Sequence, residues 1–340
     1  MPQPRQDVSC ADKYSTRAKK PEEPDKDLRP FAQKARDWVR HHVYFVLVGL
    51  NAYFIYAFCY SIVWGRISKK HKGAAIAILC IYGTLNFMMY VYWLAILLWG
   101  PGGIGSQYAS NSIDGDAAFQ CNMQGYSIYC SYCKHLKPNR THHSAFTDTC
   151  VPAMDHFCPW VGYLIGQGNI KFFLQFCWST GFTLVFVIIV LLIYQHNQIP
   201  NINNNAIVLY ILSGLAILFA GSLASQHFIY VVMGHTTLEL MSAKRGDSQY
   251  VNFLWRDGHR RVMQLNRMDI FVYDQSPFSQ GIWNNIREIM GPFYTWPLPI
   301  REPIYEPQFN KAFIEKLRER QDKIEEQALN ELKDDCDISG

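Results

Sequence analysis

Phe172–Gln195 reads FFLQFCWSTGFTLVFVIIVLLIYQ, an unbroken run without Lys, Arg, Asp or Glu. About 20 such residues, coiled as a helix, cross the hydrocarbon core of a bilayer. Three further runs have the same character, Val43–Trp64, Ala74–Trp99 and Ala206–Met233. His227 is the only Asp, Glu, Lys, Arg or His in any of the four. A buried helix of a water-soluble bundle keeps one polar face, and none of these runs has one. The sequence therefore predicts an α-helical integral membrane protein with transmembrane helices at 43–64, 74–99, 172–195 and 206–233. Composition agrees: 49% of the 340 residues are hydrophobic, yet the mean hydropathy is only −0.07. Apolar stretches are segregated from polar ones.

The first forty residues are dense in charge and carry no short apolar core, so no secretory signal is expected and the first span doubles as the anchor. Four spans place both ends and the segment between spans two and three on one side. Lys and Arg favour the cytosol for that side: Lys26, Arg29, Lys34, Arg36 and Arg40 precede span one, Lys134, Lys137, Arg140 and Lys171 lie in the middle segment, and Lys244 and Arg245 follow span four. Arg66, Lys69, Lys70 and Lys72, after span one, point the other way. The net charge of +4 is spread along the chain. It suits anionic lipid or an anionic cofactor, and no nucleic-acid signature accompanies it.

Residues 1–42 read as a polar, Pro-rich cytosolic segment with no domain of its own. Gly100-Pro101-Gly102-Gly103 breaks the second helix and opens a polar linker over 100–125. A Cys/His-rich domain follows at 126–169, and 234–340 forms a cytosolic C-terminal region. It ends in a charged stretch, Asn310–Leu332, whose spacing fits a solvated helix.

Four of the ten cysteines crowd into Cys130–Cys158. In a cytosolic segment such crowding points to metal or catalysis rather than disulfides. Cys130-x2-Cys133, His143 and Cys150 offer three thiolates and an imidazole able to close a tetrahedral zinc site. A short segment with few aliphatics gains folding free energy from such a metal. His135 and His142 compete with His143 on spacing alone. Cys158 follows Asp155 and His156, a possible nucleophile, base and orienting carboxylate. By this local pattern a fourth metal-capable cysteine is as good a reading. Position favours the nucleophile, because Cys158 lies about a dozen residues before span three and so near the membrane face.

Cys130-x2-Cys133-x3-Lys137-Pro138-x-Arg140-x-His142-His143, followed by Cys150-Val151-x2-Met154-Asp155-His156-x-Cys158-Pro159-Trp160, resembles the cysteine-rich domain of DHHC-type palmitoyltransferases. The resemblance extends over about residues 43–300. Thr236-Thr237-Leu238-Glu239 looks like that family's TTxE motif, and Pro277-Phe278 through Asn285 to Gly291 looks like its C-terminal element. The family's second set of zinc ligands would fall on Ser144, Thr147, Phe157 and Leu164, none of which is a ligand. Losing all four together implies a metal dispensed with as a unit, so one structural zinc per chain is expected. Phe157 replaces a ligand and leaves Asp155, His156 and Cys158 in place. Fungal members with an aromatic here, the subfamily called PFA five, are similar.

The resemblance implies a protein S-acyltransferase. Cys158 would take the acyl group from palmitoyl-CoA and pass it to membrane-proximal cysteines of protein substrates, with His156 as base and Asp155 orienting it. Thr236, Thr237, Glu239 and Asn285 would brace the site, and apolar packing by Phe146, Phe157, Tyr163 and Leu164 would replace the lost metal. Lys134, Lys137 or Arg140 are candidates for the CoA phosphates, although a solvated surface explains them equally well. Two rival readings remain at this stage, an inactive zinc-binding membrane scaffold and a small channel or transporter. The second is disfavoured by the absence of charges within the spans.

Overall fold

The computed structural model describes residues 31–104, 117–196, 203–266, 269 and 276–338. Four long apolar helices dominate it. The first, α1 (Phe31–Phe54), runs on in π geometry over Ile55–Ile67 and as an α-helical turn over Ser68–Lys70. His71 (φ −137°, ψ 67°) breaks the chain before α2 (Lys72–Trp99). α3 covers Ile170–Leu191 and α4 covers Asn204–Met233. Within these helices Phe45–Lys70, Lys72–Trp99, Ile170–Tyr194 and Asn204–Met233 are long and apolar enough to cross a membrane.

α3 is central and packs on both α2 and α4. Phe58, Ile62, Val63 and Ile67 meet Tyr82, Val187, Leu191 and Leu209 in a closed core toward one end. Elsewhere the helices show large apolar side chains to the outside, among them Leu98, Leu218, Phe182 and Phe87. Such continuous apolar surface is the face a lipid-bathed helix presents.

Between α2 and α3 the chain forms three small antiparallel ribbons, β2–β3 (Tyr129–Cys130, His135–Leu136), β4–β5 (His142–Ser144, Thr149–Val151) and β6–β7 (His156–Cys158, Tyr163–Ile165). Asn169 fixes this unit to the helices. Its Oδ1 accepts the Gly166 N–H at 2.9 Å, and its Nδ2 donates to the Leu164 and Ile96 carbonyls at 2.9 and 3.3 Å. One amide thus ties the end of the third ribbon to the end of α2 and the start of α3.

After α4 come α5 (Thr237–Arg245), the strands β8 (Gln249–Leu254) and β9 (Arg260–Leu265), α6 (Ile282–Met290) and α7 (Lys311–Ile338). β1 (Phe119–Cys121) pairs with β8, and β8 with β9, so a strand from before the ribbons joins a sheet from after α4.

Several expectations are corrected here. The N-terminal segment is already helical at Phe31, because Phe31–Phe54 is continuous with the first span. The linker after α2 contains β1, whose hydrogen-bond partner is too distant in sequence to be read from local polarity; residues 105–116 lie outside the described set. α7 is not wholly solvated: Phe313, Ile314 and Leu317 are buried with Phe253, Trp255 and Phe309 under the sheet, while Lys311, Lys316 and the run from Asp322 to Ala328 are exposed. Lys171, counted among the charges facing water, is buried and paired with Glu302 at 2.7 Å, which anchors the start of α3 to the C-terminal segment.

Candidate active site and metal centre

The turn of the β2–β3 ribbon carries Cys130 and Cys133. Its geometry is that of a metal knuckle, with the Cys133 N–H donating to Cys130 Sγ at 3.4 Å and Lys134 held at φ 56°. In the β4–β5 ribbon His143 stands opposite Cys150. Side chains alternate along a strand, so His142, opposite Val151, points to the other face. His135 Nδ1 is engaged with the Leu136 carbonyl oxygen at 2.7 Å. Of the three imidazoles, His143 is therefore the one brought to the thiols. Sγ of Cys130, Cys133 and Cys150 and a ring nitrogen of His143 all lie within 4.8 Å of one another. Zn–S bonds of 2.3 Å in a tetrahedron separate the sulfurs by roughly 3.8 Å, so the donor set fits zinc in kind and in spacing. His143 Nδ1 faces Cys133 Sγ at 3.3 Å while Nε2 faces the Asp148 carboxylate at 3.8 Å, a partner that orients the ring.

The four positions expected to have lost a second ligand set are filled differently. Phe157 stands opposite Leu164 in β6–β7. The Phe146 ring packs edge-on against Phe157 (5.0 Å) and Tyr163 (5.5 Å), and Leu164 is buried. Ser144 Oγ accepts the N–H groups of Phe146 and Thr147. Aromatic contact and turn hydrogen bonds hold the segment together where the family pattern has a metal.

Alternation along β6 places His156 and Cys158 on one side of the strand and Phe157 on the other. Asp155 Oδ2 and His156 Nδ1 are 2.6 Å apart. The carboxylate is also held from the start of α5, where the Thr237 N–H donates to Oδ1 at 2.7 Å and Thr237 Oγ1 donates to Oδ2 at 2.8 Å. Burial pushes the Asp155 carboxyl up, but the His156 hydrogen bond and the neighbouring His227 more than reverse this and hold it far below the usual carboxylate range. Asp155 is thus an anion. With Nδ1 engaged by the carboxylate, Nε2 is the ring nitrogen of His156 left for other partners.

Cys158 is 2% exposed. Burial pushes its thiol up to about 11, outweighing the backbone N–H groups of Val161 and Trp160 that face the sulfur. Cys158 is therefore a thiol at neutral pH, and its chemistry requires a base to take the proton. The residue packs among Ile96, Ile165, Phe172 and Phe173, with Trp93 and Phe176 against the same cluster. Trp93, Trp160 and Phe176 in turn line an apolar cavity of about 420 Å³ that extends between the helices past Met89, Thr183, Leu184 and Phe219.

The expected bracing residues converge on this site. Gly234 (φ 71°) ends α4 in a left-handed turn, a conformation that glycine adopts without a Cβ penalty. Thr236 then caps α5, its Oγ1 accepting the Glu239 N–H while the Glu239 carboxylate accepts the Thr236 N–H. That carboxylate also receives a bidentate pair from Arg140, at 2.6 and 2.7 Å with both side chains buried. Arg140 lies between the zinc-ligand candidates Cys133 and His143, so Glu239 links the metal module to the helix that grips Asp155. Asn285 on α6 accepts the Gln280 N–H and donates to the Val232 carbonyl and Ser279 Oγ, which pins α6 to the end of α4.

Sequence reasoning missed Asn169 and the task of Lys171. It noted His227 only as a lone ionisable residue in a span. The structure places that ring parallel to His156, centroids 4.8 Å apart and planes 21° apart, with Nδ1 3.4 Å from Asp155 Oδ2. An ionisable side chain in an otherwise apolar span was the available signal.

The family model described as "DHHC palmitoyltransferase" matches residues 124–244. Curated relatives extend the match over most of the chain. "Palmitoyltransferase PFA5" of Eremothecium gossypii is 31% identical over 292 residues, 76% of this chain and 78% of the relative. Proteins of the same name from Kluyveromyces lactis and Saccharomyces cerevisiae are 29% and 28% identical, covering 75% and 79% of this chain and 80% and 82% of theirs.

Proposed function

Because the chain belongs to the DHHC palmitoyltransferase family and is a protein S-palmitoyltransferase, we propose that Cys158 carries the acyl group between palmitoyl-CoA and a cysteine of the protein substrate. What supports this reading is the Asp155–His156 pair on the strand that carries Cys158 on the same side as His156, with Cys158 buried in a cluster whose Trp93 and Phe176 also line the apolar cavity. In the first step His156 Nε2 takes the Cys158 proton and Sγ attacks the thioester carbonyl. The new S–C bond forms, the C–S bond to CoA breaks, and the proton leaves with the CoA thiolate. In the second step a substrate thiol gives its proton to His156 and attacks the acyl-enzyme. Cys158 departs and recovers the proton. Asp155, ionised throughout, stabilises the imidazolium that forms in each step.

The apolar cavity suits the acyl chain. Each methylene moved from water into such a site contributes about 0.8 kcal/mol, which favours a long chain and a site inside the bilayer. The four helices cross the membrane on this reading, with the cysteine-rich domain (126–169) and the C-terminal region (234–340) on the cytosolic face where acyl-CoA is found. Cys130, Cys133, His143 and Cys150 hold one zinc ion. Its contribution is structural: it closes two ribbons too small to have a core of their own. Lys134 and Lys137 flank this module as candidate contacts for the CoA phosphates, whereas Arg140, the third cation considered, is buried and paired with Glu239.

The test is formation of a hydroxylamine-sensitive palmitoyl adduct by purified protein in nanodiscs supplied with palmitoyl-CoA. Wild type is expected to form it and Cys158→Ser is not. An adduct of equal yield in Cys158→Ser removes Cys158 from the mechanism.

A further inference from the structure

His227 is a buried ionisable side chain that the two-step reaction leaves without a task. It sits on α4, 6% exposed, seven residues before the Gly234 cap. Its ring stacks on His156, meets the Phe173 ring edge-on at 5.0 Å and touches Tyr230 at 5.9 Å. Its Nδ1 is buried and lacks a hydrogen bond of good geometry, although Asp155 Oδ2 is only 3.4 Å away. A polar ring in a span is costly unless its polar atom is used, and this one points at the carboxylate that orients the base.

We propose that His227 is a positioning residue for acyl transfer, its ring face fixing the plane of His156 and its Nδ1 sharing the Asp155 carboxylate. The proposal rests on the reading of His156 as base. A flat ring stacked at 4.8 Å, itself backed by Phe173, limits rotation of His156 about its ring axis. The ring is thereby held on the side of β6 that His156 shares with Cys158. Closure of the Nδ1–Oδ2 distance by a few tenths of an ångström makes a hydrogen bond, and catalytic hydrogen bonds commonly tighten to this extent when substrate binds. Asp155 would then be held from two directions, by Thr237 of α5 and by His227 of α4.

The experiment follows autoacylation of the full chain in nanodiscs as a function of palmitoyl-CoA concentration in three variants. His227→Ala removes ring and nitrogen, His227→Phe keeps the ring, and His227→Asn keeps a nitrogen near the Nδ1 position. Positioning predicts a loss of about tenfold or more in kcat for His227→Ala, with KM changed by less than about twofold and partial recovery in both other variants. Wild-type kcat in His227→Ala, a loss confined to KM, or full recovery by His227→Phe alone would each overturn the proposal; the last outcome would leave only packing. If His227→Ala fails to fold, the Phe and Asn variants decide in the same way. Wild type and Cys158→Ser are run alongside. An adduct in the first and none in the second keeps the underlying mechanism standing even where the His227 proposal fails, whereas no adduct in wild type sinks that mechanism itself.

Discussion

Removing the Glu239 carboxylate should cost more than any other single truncation around the site. Glu239 and Arg140 form a bidentate pair at 2.6 and 2.7 Å with each side chain 8% exposed, so neither charge has water to fall back on. Breaking a buried pair from one side leaves an uncompensated charge and costs about 3–5 kcal/mol. Glu239 also accepts the Thr236 N–H at 2.9 Å, a capping bond worth about 1 kcal/mol. Glu239→Ala should therefore destabilise the protein by about 4–6 kcal/mol on those two principles. Replacing both partners, as in Arg140→Met with Glu239→Leu, removes the charges together and should cost much less than the two single changes summed. Thermal unfolding in nanodiscs, followed by tryptophan fluorescence, gives the cycle. Burial pushes the Glu239 carboxyl up, and Arg140 more than reverses that, so its folded value lies below the ordinary one. The stability that the pair contributes is then full above about pH 4.3, the unfolded value, and is lost as pH falls through the lower folded value. A Glu239→Ala protein within about 1 kcal/mol of wild type, or two strictly additive single losses, would refute the reasoning.

Two further outcomes follow from the site. Acid-digested purified protein should contain one zinc per chain, and Cys150→Ser should lose it; a value near two would show that the second ligand set had been misassigned. Alkylation of Cys158 by a small neutral reagent should rise about tenfold per pH unit from pH 7.5 to 9.5, because a thiol of pKa about 11 is ionised only about once in a thousand molecules at pH 8. A rate that levels off below pH 8 would mean that the thiol is far more acidic than its burial dictates.

What could be read from the sequence was what is encoded locally. A helix apolar enough to cross a membrane declares itself because a whole window of about 20 residues must be free of charge, and Phe172–Gln195 needed no partner to be recognised. The thiols of Cys130 and Cys133 are separated by two residues on one turn, and Cys150 is brought to His143 by a short ribbon. Spacing alone did not choose among His135, His142 and His143, because the choice depends on which face of β4 looks inward and a shift of one residue reverses that; the family pattern pointed to His143. The bracing contacts were harder still. Thr237 meets Asp155 across 82 positions and Arg140 meets Glu239 across 99, with two helices between. Family pattern pointed to Thr237 and Glu239 but not to the groups they bind. β1 and the buried face of α7 escaped for the same reason, since a two-faced amphipathic stretch reads as solvated until the sheet that covers it is known.

On the one-zinc reading, the position of Phe157 shows how a metal site could be lost here without dismantling the residues proposed to react. In the family pattern it is a ligand, and it lies between His156 and Cys158, so its loss would be expected to loosen both. In this structure β6 is held by three things that involve no metal: pairing with β7, the Phe146–Phe157–Tyr163 ring contacts, and the Thr237 grip on Asp155. The last acts on the residue next to His156 and comes from a helix outside the ribbons. Partial loss of the ligand set would have left a buried thiol or imidazole without a partner, which is costly in a closed site. Ser144 and Leu164 leave no such debt, since the first bonds backbone N–H groups and the second is apolar. Thr147 keeps a trace of it, its Oγ1 buried without a hydrogen-bond partner. Thr147→Val should on that account be neutral or slightly stabilising, whereas Phe146→Ala, which removes the ring that both Phe157 and Tyr163 lean on, should loosen β6.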